Sequence, residues 1–281
     1  MADDVTYEPH LPVVLVLAGH DPTGGAGLVA DAEAVAAGGG WALTVPTALT
    51  VQSCTDVSRV LPADPGVMRA SVAALDEFEV AAIKLGLVAD LATLDAVNDI
   101  LERFPGVPVV ADPVLRAGGG RELSTIELID AYRERLLPRV DILTPNRGEL
   151  TRLSPQLCED TERAVALMRL GCQAVLVTGT DDPEPGAPAD RVTHTLHAID
   201  QSRQWSWPRL AGQFHGSGCT MAAFLAARLA LGESLVAACE QAQAFTWDAL
   251  SHGWRPGSGQ ALPRRLWHLP VATHRGSFAS P

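Results

Sequence analysis

The 281-residue chain has no apolar run approaching the ~20 residues that a membrane-spanning helix needs; its longest candidates are short, such as residues 13–19. Its first residues, Met1-Ala2-Asp3-Asp4-Val5-Thr6, lack the basic-then-apolar layout of a signal peptide. Cysteine is sparse: Cys54, Cys158, Cys172, Cys219 and Cys239 form an odd, scattered set with no metal-ligand spacing. That suits a reducing compartment in which thiols stay free, so a cytoplasmic protein is expected. Positive charge is also short, with 21 Lys+Arg against 33 Asp+Glu and a net charge of −12. This opposes a broad nucleic-acid footprint, which needs a basic face. It does not oppose a local anion site, because backbone N–H groups hold phosphates without net basic charge. There is no repeat, linker or second core, so residues 1–281 are expected to form one domain with an irregular tail from about residue 254.

What is present is an alternation. Hydrophobic residues make up 47% of the chain and charged residues 19%, ample apolar material for a core. Short apolar strands are expected at 13–18, 43–51, 80–85, 107–111, 140–143 and 174–177. Helical stretches are expected at 25–38, 65–78, 91–104, 125–137 and 159–170. Such βα alternation implies a mostly parallel central sheet with helices on both faces. Strands that are apolar throughout suit a sheet covered on both sides. The pattern then changes. Residues 181–190, with Pro183, Pro185, Gly186 and Pro188, read as an exposed loop that is a candidate lid. An antiparallel pair at 191–198 and 203–207 follows, then two Ala-rich helices at about 215–231 and 233–252.

Ligands of open parallel sheets bind beyond the carboxyl ends of the strands, and four motifs fall there. Gly19-His20-Asp21-Pro22-Thr23-Gly24-Gly25-Ala26-Gly27 follows the first strand, with Asp31 early in the next helix. Its glycines let backbone approach a ligand, but it is not a P-loop and makes a poor dinucleotide fingerprint. The plain alternative is a turn followed by acids solvating a helix start. Gly216-Ser217-Gly218-Cys219 opens a helix. Its amides and the helix dipole suit an anion. Cys219, in the first turn where a thiol pKa is lowered, suits the role of a base that takes a proton from an attacking hydroxyl. The alternative is a Gly-Ser cap before a buried cysteine. Asn146 and Glu149, three apart at a helix start, suit a hydrated Mg²⁺ or, as the local pattern favours, a capping box. Asp112, before Pro113, suits Mg²⁺ or a phosphate-bound water, or simply a turn. Other candidates are weaker. His194 and His197 are three apart in a strand, on opposite faces, and cannot share one metal. Trp205 and Trp207 share a face and suit core or lid packing.

These motifs, in this order, resemble the hydroxymethylpyrimidine/phosphomethylpyrimidine kinases of the ribokinase superfamily, over roughly residues 13–269. The resemblance is carried by Ala18-Gly19 through Gly27 with Asp31, by Thr47-Ala48-Leu49-Thr50-Val51-Gln52 and Lys84-Leu85-Gly86-Leu87, and by Asp112-Pro113-Val114, Leu143-Thr144-Pro145-Asn146 with Glu149, and Gly216-Ser217-Gly218-Cys219. It implies a ribokinase-like three-layer α/β/α sandwich. It implies ATP- and Mg²⁺-dependent phosphorylation of an aminopyrimidine hydroxymethyl group and then of the monophosphate, and a homodimer. By the same resemblance Asp31 and Gln52 bind the pyrimidine, and Gly19 and Leu87 line its pocket. Gly216, Ser217 and Gly218 form the anion hole, and Cys219 stands in the place of the base. Asn146, Glu149 and Asp112 organise Mg²⁺ around ATP, with Glu149 and Asp112 nearest the metal. Thr178 and Gly179 lie beside the nucleotide phosphates. The chain departs from the family pattern at Thr178-Gly179-Thr180-Asp181, where Lys-Gly-Gly-His is usual, and at Arg116-Ala117-Gly118-Gly119, where Ala-Lys-Ser-Gly is frequent. Two phosphate-facing lysines are therefore missing, with Arg116 or Arg121 as the available replacements. A pyridoxal kinase and a non-catalytic aminopyrimidine sensor are the alternative readings.

Overall fold

The computed structural model describes residues 11–116, 120, 122–179 and 188–270. Nine strands form one sheet in the order β3-β2-β1-β4-β5-β6-β7-β8-β9. The strands are β1 (Val13–His20), β2 (Trp41–Gln52), β3 (Val57–Pro62), β4 (Val80–Leu85), β5 (Val109–Ala111), β6 (Ile142–Leu143), β7 (Ala174–Val177), β8 (Arg191–Ala198) and β9 (Gln201–Pro208). From β2 through β1 to β7 every pairing is parallel; β3, β8 and β9 add antiparallel edges.

The helices are α1 (Gly27–Ala37), α2 (Pro65–Ala73), α3 (Leu91–Leu101), α4 (Ile126–Ala131), α5 (Arg147–Leu153), α6 (Asp160–Arg169), α7 (Ser217–Ala230) and α8 (Leu235–Ser251). They divide between the two faces of the sheet. Side chains alternate across a strand, so β1 sends Leu15 and Leu17 into one core, with Leu94, Ile100 and Leu136. It sends Val14, Val16 and Ala18 into the other, with Ala34, Phe224 and Leu225. A strand buried on both faces must be apolar at every position, which is why the sequence shows runs here rather than alternation. Alanine in α1 and α7 lets these helices pack closely; a Cβ on Gly38 would lie 2.7 Å from Ala227 Cβ.

Two expectations are corrected. The sheet has an unexpected strand, β3, in which only Val57 is buried and half of the residues are exposed. An edge strand with little burial carries no hydrophobic periodicity to read. The helix expected over 125–137 ends at Ala131 and continues as a π turn, Tyr132–Leu136, and a 3₁₀ turn, Leu137–Arg139. Pro138 lacks the N–H that a continuing helix needs. Residues 191–198 and 201–208 form the expected antiparallel pair. Most of the candidate lid at 181–190, and Arg121, lie outside the described residues.

Candidate active site

Chain order places β2 on one side of β1 and β4 on the other. The connections after β1 and β4 therefore diverge and leave a crevice at their carboxyl ends. A cleft of about 910 Å³ opens there, lined in turn by Gly19 and Asp21 after β1, Gln52 at the end of β2, Leu87 after β4, Asp112 after β5, Asn146 after β6 and Thr178 after β7. The first turn of α7, from Gly216 to Cys219, forms another part of the wall.

Gly216 caps α7 with φ +89°, a left-handed conformation that suits glycine. A Cβ at this position would lie 1.8 Å from Gly25 O, so the anion loop nests directly on the glycine-rich loop after β1. His215, just before it, shares a 2.8 Å hydrogen bond through Nε2 with the Asp21 carboxylate. Asp21 also accepts from Thr23 N (2.8 Å) and Ala26 N (2.9 Å). The two loops are thus joined by side chains as well as by backbone contact.

Beneath the anion loop lies a buried charge cluster. Lys84, the chain's one lysine, is fully buried and donates to Asp31 Oδ2 at 2.8 Å. Asp112 faces the α7 start; a Cβ on Gly218 would lie 3.6 Å from both of its carboxylate oxygens. Cys219 lines the cleft in the first turn of α7, close enough to Asp112, Asp31 and Lys84 for their charges to act on its thiol. Burial raises Asp31, with Lys84 opposing, to about 6. Burial likewise raises Asp112, again against Lys84. For Lys84, burial alone would lower the ammonium, but Asp31, Cys219 and Asp112 override it and hold it above its usual value.

This geometry corrects three site expectations. Asp31 does not reach the cleft: its side chain is 0% exposed and paired with Lys84, so it supports the floor rather than contacting a ligand. Cys219 is not shifted toward thiolate. Burial raises the thiol, and Asp112 and Asp31 raise it further, against Lys84 and the Gly27 N–H. Desolvation and two nearby carboxylates outweigh the helix terminus. Gly179 does not line the cleft, and its N–H is donated to His194 Nδ1 at 3.3 Å.

The remaining expected residues do come together. Gly19 and Leu87 meet at one end of the cleft, where a Cβ on Gly19 would lie 3.2 Å from Leu87 Cδ2. Asn146 and Glu149 line the cleft and also form a full capping box, with Glu149 N donating to Asn146 Oδ1 (2.8 Å) and Asn146 N to Glu149 Oε2 (3.0 Å). Arg116 lines the cleft and pairs with Glu122. Trp205 is buried in the core, whereas Trp207 reaches the cleft and donates through Nε1 to Gln243 Oε1 at 3.0 Å.

Four residues were missed by sequence reasoning: Lys84 as a counterion, Asp21 and His215 as a latch, and Arg265. Lys84 stood in a quoted motif, and a lone lysine in an apolar strand was the available signal. Asp21 and His215 are 194 residues apart, and no local pattern links them. Arg265 sits in the tail read as irregular, its only mark being the Arg264-Arg265 pair between Leu262 and Trp267.

A model of the phosphomethylpyrimidine kinase family matches residues 21–264. The chain belongs to that family. It is 34% identical over 269 residues to a hydroxymethylpyrimidine/phosphomethylpyrimidine kinase of Synechococcus elongatus, covering 89% of this chain and 95% of the relative. It is 30% identical to the enzyme of that name from Haemophilus influenzae, covering 90% and 96%. It is 32% identical to a thiamine biosynthetic bifunctional enzyme of Arabidopsis thaliana, covering 86% of this chain but only 47% of that longer protein. Among solved structures, the ADP complex of Bacillus subtilis pyridoxal kinase superposes with a TM-score of 0.82 at 25% identity, over 91% of this chain and 97% of that one. The fold is ribokinase-like, as the motifs led us to expect.

Proposed function

We propose that the protein is an ATP-dependent kinase that phosphorylates the hydroxymethyl group of an aminopyrimidine and then the resulting monophosphate, as the names of its relatives suggest. The observation that carries this reading is the convergence of Gln52, the Gly216–Gly218 loop and Cys219 on one cleft with Asp112, Asn146 and Glu149. Gln52 offers a carboxamide to the pyrimidine edge, with Gly19 and Leu87 closing the pocket around it. The backbone N–H groups of the α7 start stabilise the moving phosphoryl group, where catalysis is mainly positioning and charge stabilisation. Asp112, Asn146 and Glu149 are hard oxygen donors, which fits a Mg²⁺ held largely through its waters. When bound, the ion neutralises phosphate charge.

Proton transfer falls to Cys219 and Asp112, which both line the cleft at the start of α7. The attacking hydroxyl gives its proton to Cys219 Sγ as the thiol proton passes to Asp112, whose carboxylate burial has made more basic. Lys84 supplies the positive charge beneath both groups. Support for a homodimer comes from the β2–β3 ribbon, which leaves Leu49 and Val51 about half exposed. A cytoplasmic location belongs to the same reading. It is supported by free cysteines and by the absence, among the described residues, of a helix long and apolar enough to cross a membrane.

The test is ADP release by the purified protein with ATP and Mg²⁺, comparing hydroxymethylpyrimidine, its monophosphate and pyridoxal, with products identified by mass. Turnover of the first two is the expected result. Turnover of pyridoxal alone would move the assignment to a pyridoxal kinase. Pyrimidine binding without turnover would make the protein a sensor. In the same assay Cys219→Ala is expected to lower kcat by ~10²–10⁴-fold, the range for a positioned proton acceptor, with little change in thermal stability. Full activity of that variant would remove Cys219 from the chemistry.

A further inference from the structure

Arg265 is 2% exposed and, among the described residues, heads the fully buried side chains by volume. Burying a guanidinium is costly unless its donors are satisfied, and here they converge on the site. Nε donates to Thr220 Oγ1 at 2.8 Å. Nη1 donates to Gly24 O at 3.2 Å and to Glu33 Oε2 at 3.1 Å. Nη2 donates to Gly25 O. Each acceptor has a place in the machinery already described. Gly24 and Gly25 belong to the glycine-rich loop, and Gly25 O is the atom on which Gly216 nests. Thr220 follows Cys219 on α7, and its hydroxyl donates in turn to Gly216 O at 2.8 Å. Glu33 lies on α1.

The chain around Arg265 is tied to the same place. His215 N donates to Ala261 O (2.9 Å), and Ala261 N donates to Gln213 O (2.9 Å). A Cβ on Gly25 would lie 2.7 Å from Leu262 Cδ2. The segment carrying Arg265 is therefore a third strap across the two loops.

We propose that Arg265 is a positioning residue for phosphoryl transfer, holding the glycine-rich loop and the anion loop in register so that the Gly216–Gly218 amides and Cys219 face one point. Its side chain does not line the cleft. Its planar fork reaches two carbonyls, a hydroxyl and a carboxylate at once, which a lysine ammonium cannot do. This inference rests on the assignment of the 216–218 loop as the anion hole.

The test compares Arg265→Lys, Arg265→Met and wild type for kcat, for KM of ATP and of the pyrimidine, and for amide hydrogen exchange at residues 216–220. Arg265→Lys is expected to lower kcat at least ~10-fold, because small misplacements of catalytic groups are amplified in rate. Both KM values should stay within ~3-fold, and the 216–220 amides should exchange faster while α8 is unchanged. A more truncated companion, Arg265→Ala, should recover part of kcat when free guanidinium is added. Variants that are less heat-stable but keep wild-type kcat and loop exchange would make Arg265 purely structural and overturn the proposal. Should Arg265→Met fail to fold, Arg265→Lys alone decides. If wild type turns over none of the substrates, the functional reading fails by itself, and loop exchange in Arg265→Lys still decides the positioning role.

Discussion

Lys84→Met is expected to destabilise the protein by roughly 3–5 kcal/mol, the cost of removing one partner from a buried ion pair. Methionine keeps the length and apolar stem of the side chain and removes only its charge. Asp31, which is fully buried and hydrogen-bonded to Lys84, would then have no counterion within contact. Asp31 Oδ1 already has no hydrogen-bond partner, so the carboxylate depends on that ammonium. The pH dependence identifies the cause. Burial raises Asp31 to about 6 even against Lys84, and without the ammonium it rises further. A raised carboxyl binds its proton more tightly folded than unfolded, so stability gains as pH falls from above the folded pKa toward the unfolded value of ~3.9. The urea midpoint of Lys84→Met should therefore recover on going from pH 8 to pH 5 more than that of wild type. Adding Asp31→Asn should restore a large part of the loss at pH 8, because it removes the uncompensated charge. Equal midpoints for Lys84→Met and wild type at both pH values would show that Lys84 is not the counterion.

The same cluster explains what was legible in the sequence. The loops after the strands were identified because glycines, Asp-Pro and Asn-x-x-Glu cluster at carboxyl ends, a purely local signal. Asp31 shared that signal and was misread as a ligand contact. Being early in a helix beside a glycine loop places a carboxylate near the site but does not give its direction. Lys84, 53 residues away, decides that direction. Cys219 failed similarly: a helix start lowers a thiol pKa when nothing opposes it, and this thiol is partly buried beside the Asp112 and Asp31 carboxylates, which raise it. The β-strands were read nearly to the residue because both faces of the sheet are covered. Edge strand β3 and the segment holding Arg265 were not read, since neither has a periodic burial pattern. Arg265 is placed by long-range hydrogen bonds that spacing does not encode, and β3 by a short antiparallel hairpin from β2.

Gly216→Ala is expected to lower kcat by ~10²–10³-fold or more, the loss that follows removal of an oxyanion-hole donor. Two independent obstacles meet there. The φ of +89° is one that a side chain rarely adopts, at a cost of order 1–3 kcal/mol. The added Cβ would also lie 1.8 Å from Gly25 O, 2.7 Å from Gly25 C and 3.2 Å from Ala26 Cα, all of them backbone atoms. A side chain could rotate away; these atoms cannot. Relief requires the two loops to separate, which moves Gly216 O away from Thr220 N (3.0 Å) and unwinds the first turn of α7. The Ser217 and Gly218 amides then no longer converge. Gly218→Ala is the control: its φ is not left-handed, and its Cβ would meet Asp112 at 3.6 Å, an ordinary contact. The Gly218 variant should fold with near wild-type stability and lose less activity than the Gly216 variant. Thermal unfolding and steady-state kinetics on both measure the ordering. An active, stable Gly216→Ala would mean that the nesting of these two loops does not set the geometry of the anion hole.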